Sequence, residues 1–182
     1  SDFHKAGQFE PTPCLGMKSV KSLVAGGSAN VTYAIFEDGT VAGKGAPTST
    51  LILGGGNAKT SKFWVTIPGV QQVQALAVGR SHVLALKKGG TVAVWGDNSS
   101  YQLGSSTLKE SKAPVTVAGL PSIAAVAAGD EHSLALDRQG NVWEWGTAND
   151  SEYQKPHKVE GLSGVEQIAA AGDLSLAKKK DG

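Results

Sequence analysis

The sequence predicts an all-β fold in which one small antiparallel sheet is repeated along the chain. Residues 123–146 read as an apolar run, a Gly, a His, a short strand, a turn and a second strand that ends in Trp-Gly. The same order of residue types occurs in residues 73–96. Self-similarity at a long, fixed period is typical of repeat architectures. Because one such sheet cannot bury both faces alone, we expect the copies to stack around a common axis as a β-propeller or a partial one.

The composition is compatible with this architecture and argues against several function classes. The chain has 182 residues, of which 24 are Gly and 18% are charged, as expected for short strands joined by many turns. A formal net charge of +1 argues against binding to nucleic acid. No apolar run approaches the ~20 residues of a membrane helix, and Cys14 has no second Cys with which to form an intramolecular disulfide. The compartment stays open, since secreted, cell-surface and cytoplasmic locations all fit.

A recurring segment that contains Gly, and in most copies Pro, sets the register of the units. Residues 112–120 (KAPVTVAGL), 62–70 (KFWVTIPGV) and 154–162 (QKPHKVEGL) align with one another, and Gly16 takes the corresponding place near the N-terminus. We therefore expect a single domain over residues 1–182 that consists of four units. Their approximate ranges are 11–56, 64–104, 114–150 and 156–182, the last of which is incomplete.

Each unit continues with a short apolar run of small residues. The runs are 22–27, 75–79, 125–129 and 167–172. An Ala-rich run can also form a helix, but each run here is only a few residues long and ends at Gly, which favours a buried strand. The small side chains would let these first strands approach the common axis closely.

A hairpin is expected after each of the first three runs. The second strand is predicted at 33–36, 84–87 and 134–137, and the third strand at 40–45, 91–96 and 141–146. The turns between them contain Gly, which takes the positive φ of a hairpin turn without strain. The loops after the third strand differ in length, as expected where repeat proteins tolerate insertions.

Two units share a set of motif residues to which we assign a structural role. These are Gly79, His82, Trp95, Gly96, Gly129, His132, Trp145 and Gly146. Val31 and Leu174 stand at the positions equivalent to the two His, and a metal site would need more of these positions filled. We therefore expect buried His side chains that are bonded to backbone groups. Because no HExxH, CxxC or GxSxG pattern occurs, we predict no catalytic residue, metal site or cofactor.

Residues 73–146 resemble the regulator-of-chromosome-condensation repeat family. The resemblance rests on GRSHVLAL at 79–86, GDEHSLAL at 129–136 and GTVAVWG at 90–96. The Asp-Asn pair after this last segment, followed by Tyr-Gln-Leu-Gly, is similar to the loop that the family has after its Trp. The resemblance implies a seven-bladed propeller, of which this chain would form about half.

The chain departs from the family's pattern in two ways. It has about three and a half repeats, and Lys44 stands where Trp95 and Trp145 stand in the central units. We therefore expect either a fragment of a longer propeller or a chain completed in trans, by a second copy of itself or by a strand from another protein. Lys178–Lys180 lie near the open end and are interpreted as a charged edge that opposes aggregation, with contact to a phosphate or an acidic partner as the alternative.

Seven residues are candidates for an interface. They are Phe63, Trp64, Arg80, Tyr101, Asp130, Glu131 and Tyr153. The Phe63–Trp64 pair falls where the other units have Pro, and it is either an interface anchor or the filling of an extra gap between sheets. Arg80 and Asp130 follow the first strands of their units and are expected on one rim of the propeller. The Asp130–Glu131 pair has a solvated loop as its alternative reading.

These observations lead us to expect a non-enzymatic module that mediates protein-protein interaction through rim loops. One alternative is a carbohydrate-binding or adhesin module on a cell surface or appendage, in which Trp64, Tyr101 and Tyr153 stack on sugar faces. The other alternative, implied by the resemblance, is a regulator of a small GTPase of the exchange-factor kind. The expected partner is another protein or a second copy of the chain, and in the carbohydrate alternative it is a glycan.

Overall fold

The computed structural model describes residues 19–26, 30–45, 61–146 and 151–180. Within these ranges the chain forms strands and one short 3-10 helix, and no α-helix occurs. The strands are β1 (Val20–Gly26), β2 (Val31–Phe36), β3 (Val41–Gly45), β4 (Ser61–Thr66), β5 (Val73–Val78), β6 (His82–Lys87), β7 (Val92–Asp97), β8 (Glu110–Thr116), β9 (Ile123–Ala128), β10 (His132–Asp137), β11 (Val142–Gly146), β12 (His157–Lys158), β13 (Val165–Ala171) and β14 (Leu174–Lys179); the 3-10 helix is η1 (Ser151–Gln154). None of the described segments is a helix that could span a membrane.

The strands form four antiparallel sheets in chain order. The first sheet is β1-β2-β3-β4, the second β5-β6-β7-β8, the third β9-β10-β11-β12, and the fourth is the hairpin β13-β14. The fold prediction is confirmed, and the Ala-rich runs are strands, as their Gly boundaries indicated. The recurring segment at 112–120 supplies strand β8, so the segment that sets the sequence register completes the preceding sheet. The N-terminal copy around Gly16 lies outside the described residues.

The first strand of each sheet lies against the first strand of the next. Strand β5 contacts both β1 and β9, and β9 contacts β13, whereas β8 and β12 lie at the outer edges of their sheets. The Ala residues of the first strands allow this close approach, because the side chain of Ala is a single methyl group. The first strands therefore line the axis around which the sheets are arranged.

Alternate residues of each second strand face opposite neighbours, as the two-residue period of a strand requires. In β6, Val83 packs into the apolar cluster shared with the first sheet, and Leu84 packs into the cluster shared with the third sheet. Between the first two sheets the rings of Tyr33 and Trp95 meet edge to face, with centroids 6.1 Å apart. Each completed sheet thus has a core on both sides of its second strand.

Backbone hydrogen bonds tie each hairpin turn to the next sheet. The amide of Ile123 donates to the carbonyl of Gly90 at 2.9 Å, and the amide of Val165 donates to the carbonyl of Gly140 at 3.0 Å. Gly90 has a φ of 90°, and a Cβ there would overlap the Ser122 hydroxyl and lie 2.8 Å from the Ile123 nitrogen. Glycine is therefore required at this turn both by its conformation and by the approach of the next sheet.

Candidate functional site

One rim of the propeller is built from the turns that follow the first strands. The amide of Arg80 donates to the carbonyl of Asp130 at 3.2 Å, and the amide of Asp130 donates to the carbonyl of Gly172 at 2.8 Å. These bonds join three successive turns side by side into one continuous backbone row. Arg80 is exposed on this row and Asp130 is half-buried. A shallow depression of about 220 Å³ opens beside the turns and is lined by Val78, Asp130 and Ala171 among others.

Glycine makes this row of turns compact. A Cβ at Gly79 would overlap the ring of His82 and the carbonyl oxygen of Gly129. A Cβ at Gly129 would overlap the ring of His132 in the same way and lie 2.6 Å from the carbonyl oxygen of Gly172. The motif Gly and the motif His of each unit therefore occupy adjoining space, and any side chain in place of the Gly would displace the imidazole.

The buried His82 connects the second sheet to the third. Its Nε2 lies 3.0 Å from the Ser133 hydroxyl, and that hydroxyl donates to the carbonyl of Gln102 at 2.8 Å. Because the single Ser133 proton is used in the bond to Gln102, the network assigns the proton to Nε2 of His82, which donates to Ser133. Nδ1 of His82 is buried without a hydrogen-bond partner. The side-chain partner of this His is thus a serine hydroxyl on the next sheet, and the backbone of His132 supplies the backbone contact that we expected.

The same pairing recurs at the next junction, where Nε2 of His132 lies 2.9 Å from the Ser175 hydroxyl. The two partners take the first position of one second strand and the second position of the next. We call these the leading position (Val31, His82, His132 and Leu174) and the following position (Thr32, Val83, Ser133 and Ser175). At the first junction Val31 and Val83 hold the two positions and belong to one apolar cluster.

The environment of His82 keeps its imidazole neutral. Burial, and to a smaller extent the nearby His132, lowers the pKa of His82 to about 3. A histidine with this pKa carries no charge near neutral pH and has no proton to give as a general acid. The chemistry of this residue is therefore that of a fixed hydrogen-bond donor between two sheets.

A second network fixes the long loop between β7 and β8. Asn98 is almost fully buried; its Nδ2 donates to the carbonyls of Ser105 at 2.8 Å and Leu108 at 2.7 Å, and its Oδ1 accepts from the Leu103 amide at 2.7 Å. One side chain thus binds three points of the loop and holds it closed. Loops are usually the mobile parts of a fold, but this one has an internal scaffold.

The loop is also docked on the third sheet. Nε1 of the buried Trp145 donates to the carbonyl of Gln102 at 2.9 Å, so this carbonyl accepts from both Trp145 and Ser133. The Ser100 hydroxyl donates to the carboxylate of Glu131 at 2.9 Å. These bonds place half-buried Tyr101, which has a φ of 62°, close to exposed Glu131 on the rim. Four interface candidates, Arg80, Tyr101, Asp130 and Glu131, therefore share one rim.

The other three candidates lie elsewhere. Trp64 is half-buried on the outer strand β4 and packs against Ala34, Phe36 and Ala42 of its own sheet. The side chain of Phe63 lies outside the described residues, although its backbone belongs to β4. Tyr153 lies in η1 and meets His157 edge to face, with ring centroids 4.3 Å apart. The three aromatic residues of the carbohydrate alternative, Trp64, Tyr101 and Tyr153, thus belong to the first, second and third sheets and their connecting segments, respectively.

The sequence analysis did not predict the hydrogen bonds of Asp137 or the Ser partners of the two His. Asp137 caps the turn before β11, and it accepts from the amides of Gln139 and Asn141, each at 2.9 Å, and from Nε1 of Trp143 at 3.1 Å. Burial alone would raise the pKa of Asp137, but the hydrogen bonds from Asn141, Trp143 and Gln139 together hold it below its ordinary value. The Ser partners of the two His could have been identified in the sequence, because Ser133 and Ser175 each come one residue after the leading position of the next unit.

Comparison with known proteins identifies the repeat. Two models described as "Regulator of chromosome condensation (RCC1) repeat" match the chain, one over residues 89–136 and the other over 73–102 and 123–154. A search of curated proteins gave no significant match. The described part of the chain contains no group of His, Cys, Asp and Glu side chains that could hold a metal ion.

Solved structures with the same fold are longer than this chain. Yeast RCC1 (Prp20) with bound Kap60 has a TM-score of 0.78 and 24% identity over 93% of this chain, and human WBSCR16 has a TM-score of 0.74 and 20% identity over 88%. Prp20p from Saccharomyces cerevisiae has a TM-score of 0.70 and 19% identity over 89%. The match covers 44% of each of these longer chains. Residues 73–154 are thus similar to RCC1 repeats, and the chain has the fold of part of the longer RCC1 β-propellers.

Proposed function

We propose that this chain is a non-enzymatic module that binds another protein through the rim formed by the turns at 79–82 and 129–132 and the loop 97–108. The observation that carries the proposal is the rigidity of this rim. Its turns are joined by the Arg80–Asp130 and Asp130–Gly172 backbone bonds, and its loop is held by Asn98 from within. A surface that is ordered before binding loses little conformational entropy on association.

The side chains on the rim suit a polar protein surface. Exposed Arg80 and Glu131 carry opposite charges, and Tyr101 presents an aromatic ring from a fixed backbone. Arg and Tyr are enriched among the residues that dominate protein interfaces. The structure of yeast RCC1 (Prp20) contains bound Kap60, and Prp20p is described by its binding to Gsp1p and histones. These statements concern those proteins, and they support a protein as the class of partner here.

The buried histidines support a binding role over a catalytic one. Among the motif residues, His82 and His132 have the side chains best suited to acid–base chemistry, and both are held between sheets by Ser hydroxyls. His82 is fully buried and neutral, so that no substrate reaches it without opening the junction. Their role in this proposal is to hold the sheets that carry the rim.

A charge-reversal pair tests the proposal. Partners captured from the native host by the full chain are compared among the wild type, Arg80→Glu and Lys88→Glu. Lys88 is an exposed residue in the hairpin turn between β6 and β7, away from the rim turns, and its reversal makes the same change in net charge. We expect at least one partner to bind about tenfold more weakly to Arg80→Glu, equivalent to ~1.4 kcal/mol, and normally to Lys88→Glu. Equal binding of all three proteins would contradict a role for this rim.

A regulator of a small GTPase is the narrower form of the same proposal, supported by the family resemblance alone. It predicts that the chain accelerates the release of bound nucleotide from a GTPase, which can be measured with a fluorescent nucleotide over a panel of these proteins. No acceleration across the panel would reject this narrower form and leave the protein-binding rim untouched. The spread of Trp64, Tyr101 and Tyr153 over three separate sheets gives the carbohydrate and adhesin alternative no such support.

A further inference from the structure

A groove lies between the second and third sheets, at the outer strands of the array. It is lined by residues of the loop between β7 and β8, of strand β8 with the turn after it, and of the segment just before β12; these are residues 103–108, 115–119 and 155–156. The groove has a volume of about 450 Å³ and is open along one side. The rim candidates Arg80, Tyr101, Asp130 and Glu131 do not line it, so the groove is a surface separate from the rim.

The lining of the groove is mostly apolar. Leu103 and Val117 are buried and form its floor, whereas Val115 and Pro156 are half-buried at its sides. Leu108 completes the lining and is 38% exposed. An occupant with aliphatic side chains would therefore remove apolar surface from water, which is favourable.

The exposure of Leu108 has no counterpart in the middle of the array. Within the described ranges five large hydrophobic residues are exposed, and the other four lie on β1 or β14, the first and last strands. Leu108 instead lies beside the second sheet, which has a neighbouring sheet on each side. Its exposure is therefore a property of this groove and not of the ends of the array.

The backbone of Leu108 is fixed before any partner binds. Its amide donates to the Ser105 hydroxyl at 3.3 Å, and its carbonyl accepts from Nδ2 of Asn98 at 2.7 Å. Asn98 is itself almost fully buried. An apolar side chain on such a backbone loses little conformational entropy on association, which suits an anchor point for a ligand.

The charge around the groove is positive. Among the described residues that line it, Lys155 is the one that carries a charge, and it is exposed. The segments 103–120 and 152–158, which bound the groove, contain four Lys and two Glu, whereas the whole chain is nearly neutral, with 17 Lys and Arg against 16 Asp and Glu. Glu110, one of the two Glu, lies 3.8 Å from Lys112 and pairs with it. This excess of positive charge favours an acidic occupant.

The shape of the groove favours a peptide over a small molecule. Sites for small molecules bury most of the ligand, and a groove that is open along one side does not. An extended peptide can place some side chains in the groove and leave the others in water. Pro114 of β8 has no amide hydrogen, so a peptide strand cannot form an uninterrupted ladder along this edge, and recognition depends on side chains.

We propose that this groove binds an extended acidic peptide segment of a partner protein. Aliphatic side chains of the segment pack against Leu108 and the floor formed by Leu103 and Val117, and a carboxylate pairs with Lys155. The groove is a contact surface in addition to the rim, and the inference does not rest on the rim.

A phage-displayed library of random decapeptides, selected on the full chain, supplies the probes for the test. The recovered peptides are synthesised with a fluorescent label, and their dissociation constants are measured by fluorescence anisotropy for the wild type, Leu108→Ser and Lys155→Glu. Leu23→Ser and Lys88→Glu are the matched controls, since both residues are exposed and lie outside the groove.

We expect the recovered peptides to combine aliphatic residues with Asp or Glu. Leu108→Ser should weaken their binding about tenfold, because it removes an apolar contact, and Lys155→Glu should weaken it about fivefold. The two controls should bind as the wild type does. Replacing the acidic residues of a peptide by Lys should restore its binding to Lys155→Glu, which a merely structural effect of that substitution would not do.

Three results would overturn the proposal. The first is a selection that yields no acidic peptide with aliphatic residues, and the second is equal binding to the wild type, Leu108→Ser and Lys155→Glu. The third is binding that is lost on Arg80→Glu but unaffected by the groove variants, which would place the peptide on the rim instead. If Leu108→Ser does not fold, the reversal of charge preference in Lys155→Glu decides, because Lys155 is exposed and its substitution should leave the fold intact.

Discussion

Between the first and second sheets, Val31 and Val83 hold the leading and following positions, whereas His82 and Ser133 hold them between the second and third sheets. The backbone bonds across the two junctions are alike, with amide-to-carbonyl distances of 2.9 Å from Val73 to Gly39 and from Ile123 to Gly90. The geometry of a junction is therefore set by the backbone and by its Gly turns. The side chains at the two positions differ between the two junctions, and each pair matches in polarity.

The polar junction also holds the loop between β7 and β8. Its Ser133 joins Trp145 in binding the carbonyl of Gln102, and this bond fixes the rim loop of the second sheet on the third. At the first junction, Trp95 meets the ring of Tyr33 on the first sheet. Substitutions at the second junction should therefore change both the stability of the fold and the order of loop 97–108, whereas substitutions at the first junction should change the stability of the fold and leave loop 97–108 ordered.

The largest effect is expected for Trp145→Ala. Truncating a fully buried Trp costs about 3–5 kcal/mol of unfolding free energy, and Trp95→Ala should cost a similar amount because Trp95 is equally buried. The two variants should differ in hydrogen exchange, since only Trp145→Ala removes a bond to the loop and should speed exchange at the amides of residues 100–104. Equal exchange in the two variants would show that Trp145 does not hold the loop.

Asn98→Ala should have the next largest effect. It removes a buried side chain that makes hydrogen bonds to Leu103, Ser105 and Leu108, and the expected loss of unfolding free energy is about 2–3 kcal/mol. Denaturant unfolding measures this loss. Ser99→Ala, an exposed position in the same loop, is the control and should change stability by less than ~0.5 kcal/mol. Similar losses in both variants would contradict a scaffold role for Asn98.

The two junctions should also differ in their response to acid. His82 has an ordinary pKa of ~6.5 when unfolded and a pKa of about 3 when folded, so below pH 6.5 the unfolded state binds the additional proton. This contribution to stability is complete above about pH 6.5 and is lost as the pH falls, with a slope of up to ~1.4 kcal/mol per pH unit.

The acid response is measured as unfolding free energy between pH 7 and pH 4. His82→Gln keeps a donor toward Ser133 but does not titrate, so it should flatten the curve in this range. Val31→Ala, at the leading position of the apolar junction, should lower the curve without changing its slope. An unchanged slope in His82→Gln would contradict the assignment of the acid response to this junction.

The smallest effect on stability is expected for Lys178→Leu. The side chain is exposed, so the unfolding free energy should change by less than about 0.5 kcal/mol. Self-association should nevertheless increase, because an exposed Lys side chain on β14 opposes strand pairing with other chains. Lys179→Leu is the matched control, since the alternation of the strand places it on the other face of β14. Equal association of both variants would show that position 178 has no special role.

Sequence periodicity predicted the first strands, the hairpins of the first three units and the equivalence of these positions, whereas the outer strands β4, β8 and β12 and the strand β14 were not predicted. Register pairs such as Val83 with Trp95 and Thr32 with Lys44 confirm that Lys44 takes the place of the motif Trp. The side-chain pairings between units could not be predicted so readily. His82 and Ser133 are far apart in the chain, and their contact depends on which face of each strand meets the next sheet.

The positions of the rim residues were harder to predict from the sequence than the strands of the sheets. Arg80 and Asp130 could be assigned to equivalent turns by alignment, but the position of Tyr101 depends on an αL backbone conformation with a φ of 62° that its residue type does not favour. The sequence allows two interpretations of Trp64, as an interface anchor or as the filling of an extra gap between sheets. The structure packs it on the face of the first sheet that points away from the second sheet, and such a position depends on tertiary contacts rather than on local pattern.

The attachment of the loop at Gln102 makes its exposed positions suitable for engineering. Trp145 and Ser133 bind the main chain at this position, and the buried side chain of Gln102 accepts from the Ser100 amide at 2.9 Å, so the loop is anchored by buried groups and not by its exposed residues. A library that randomises the exposed residues of the loop while keeping Asn98 could therefore present new recognition sequences on an unchanged anchor. The repeat offers a ready scaffold for engineered binding proteins.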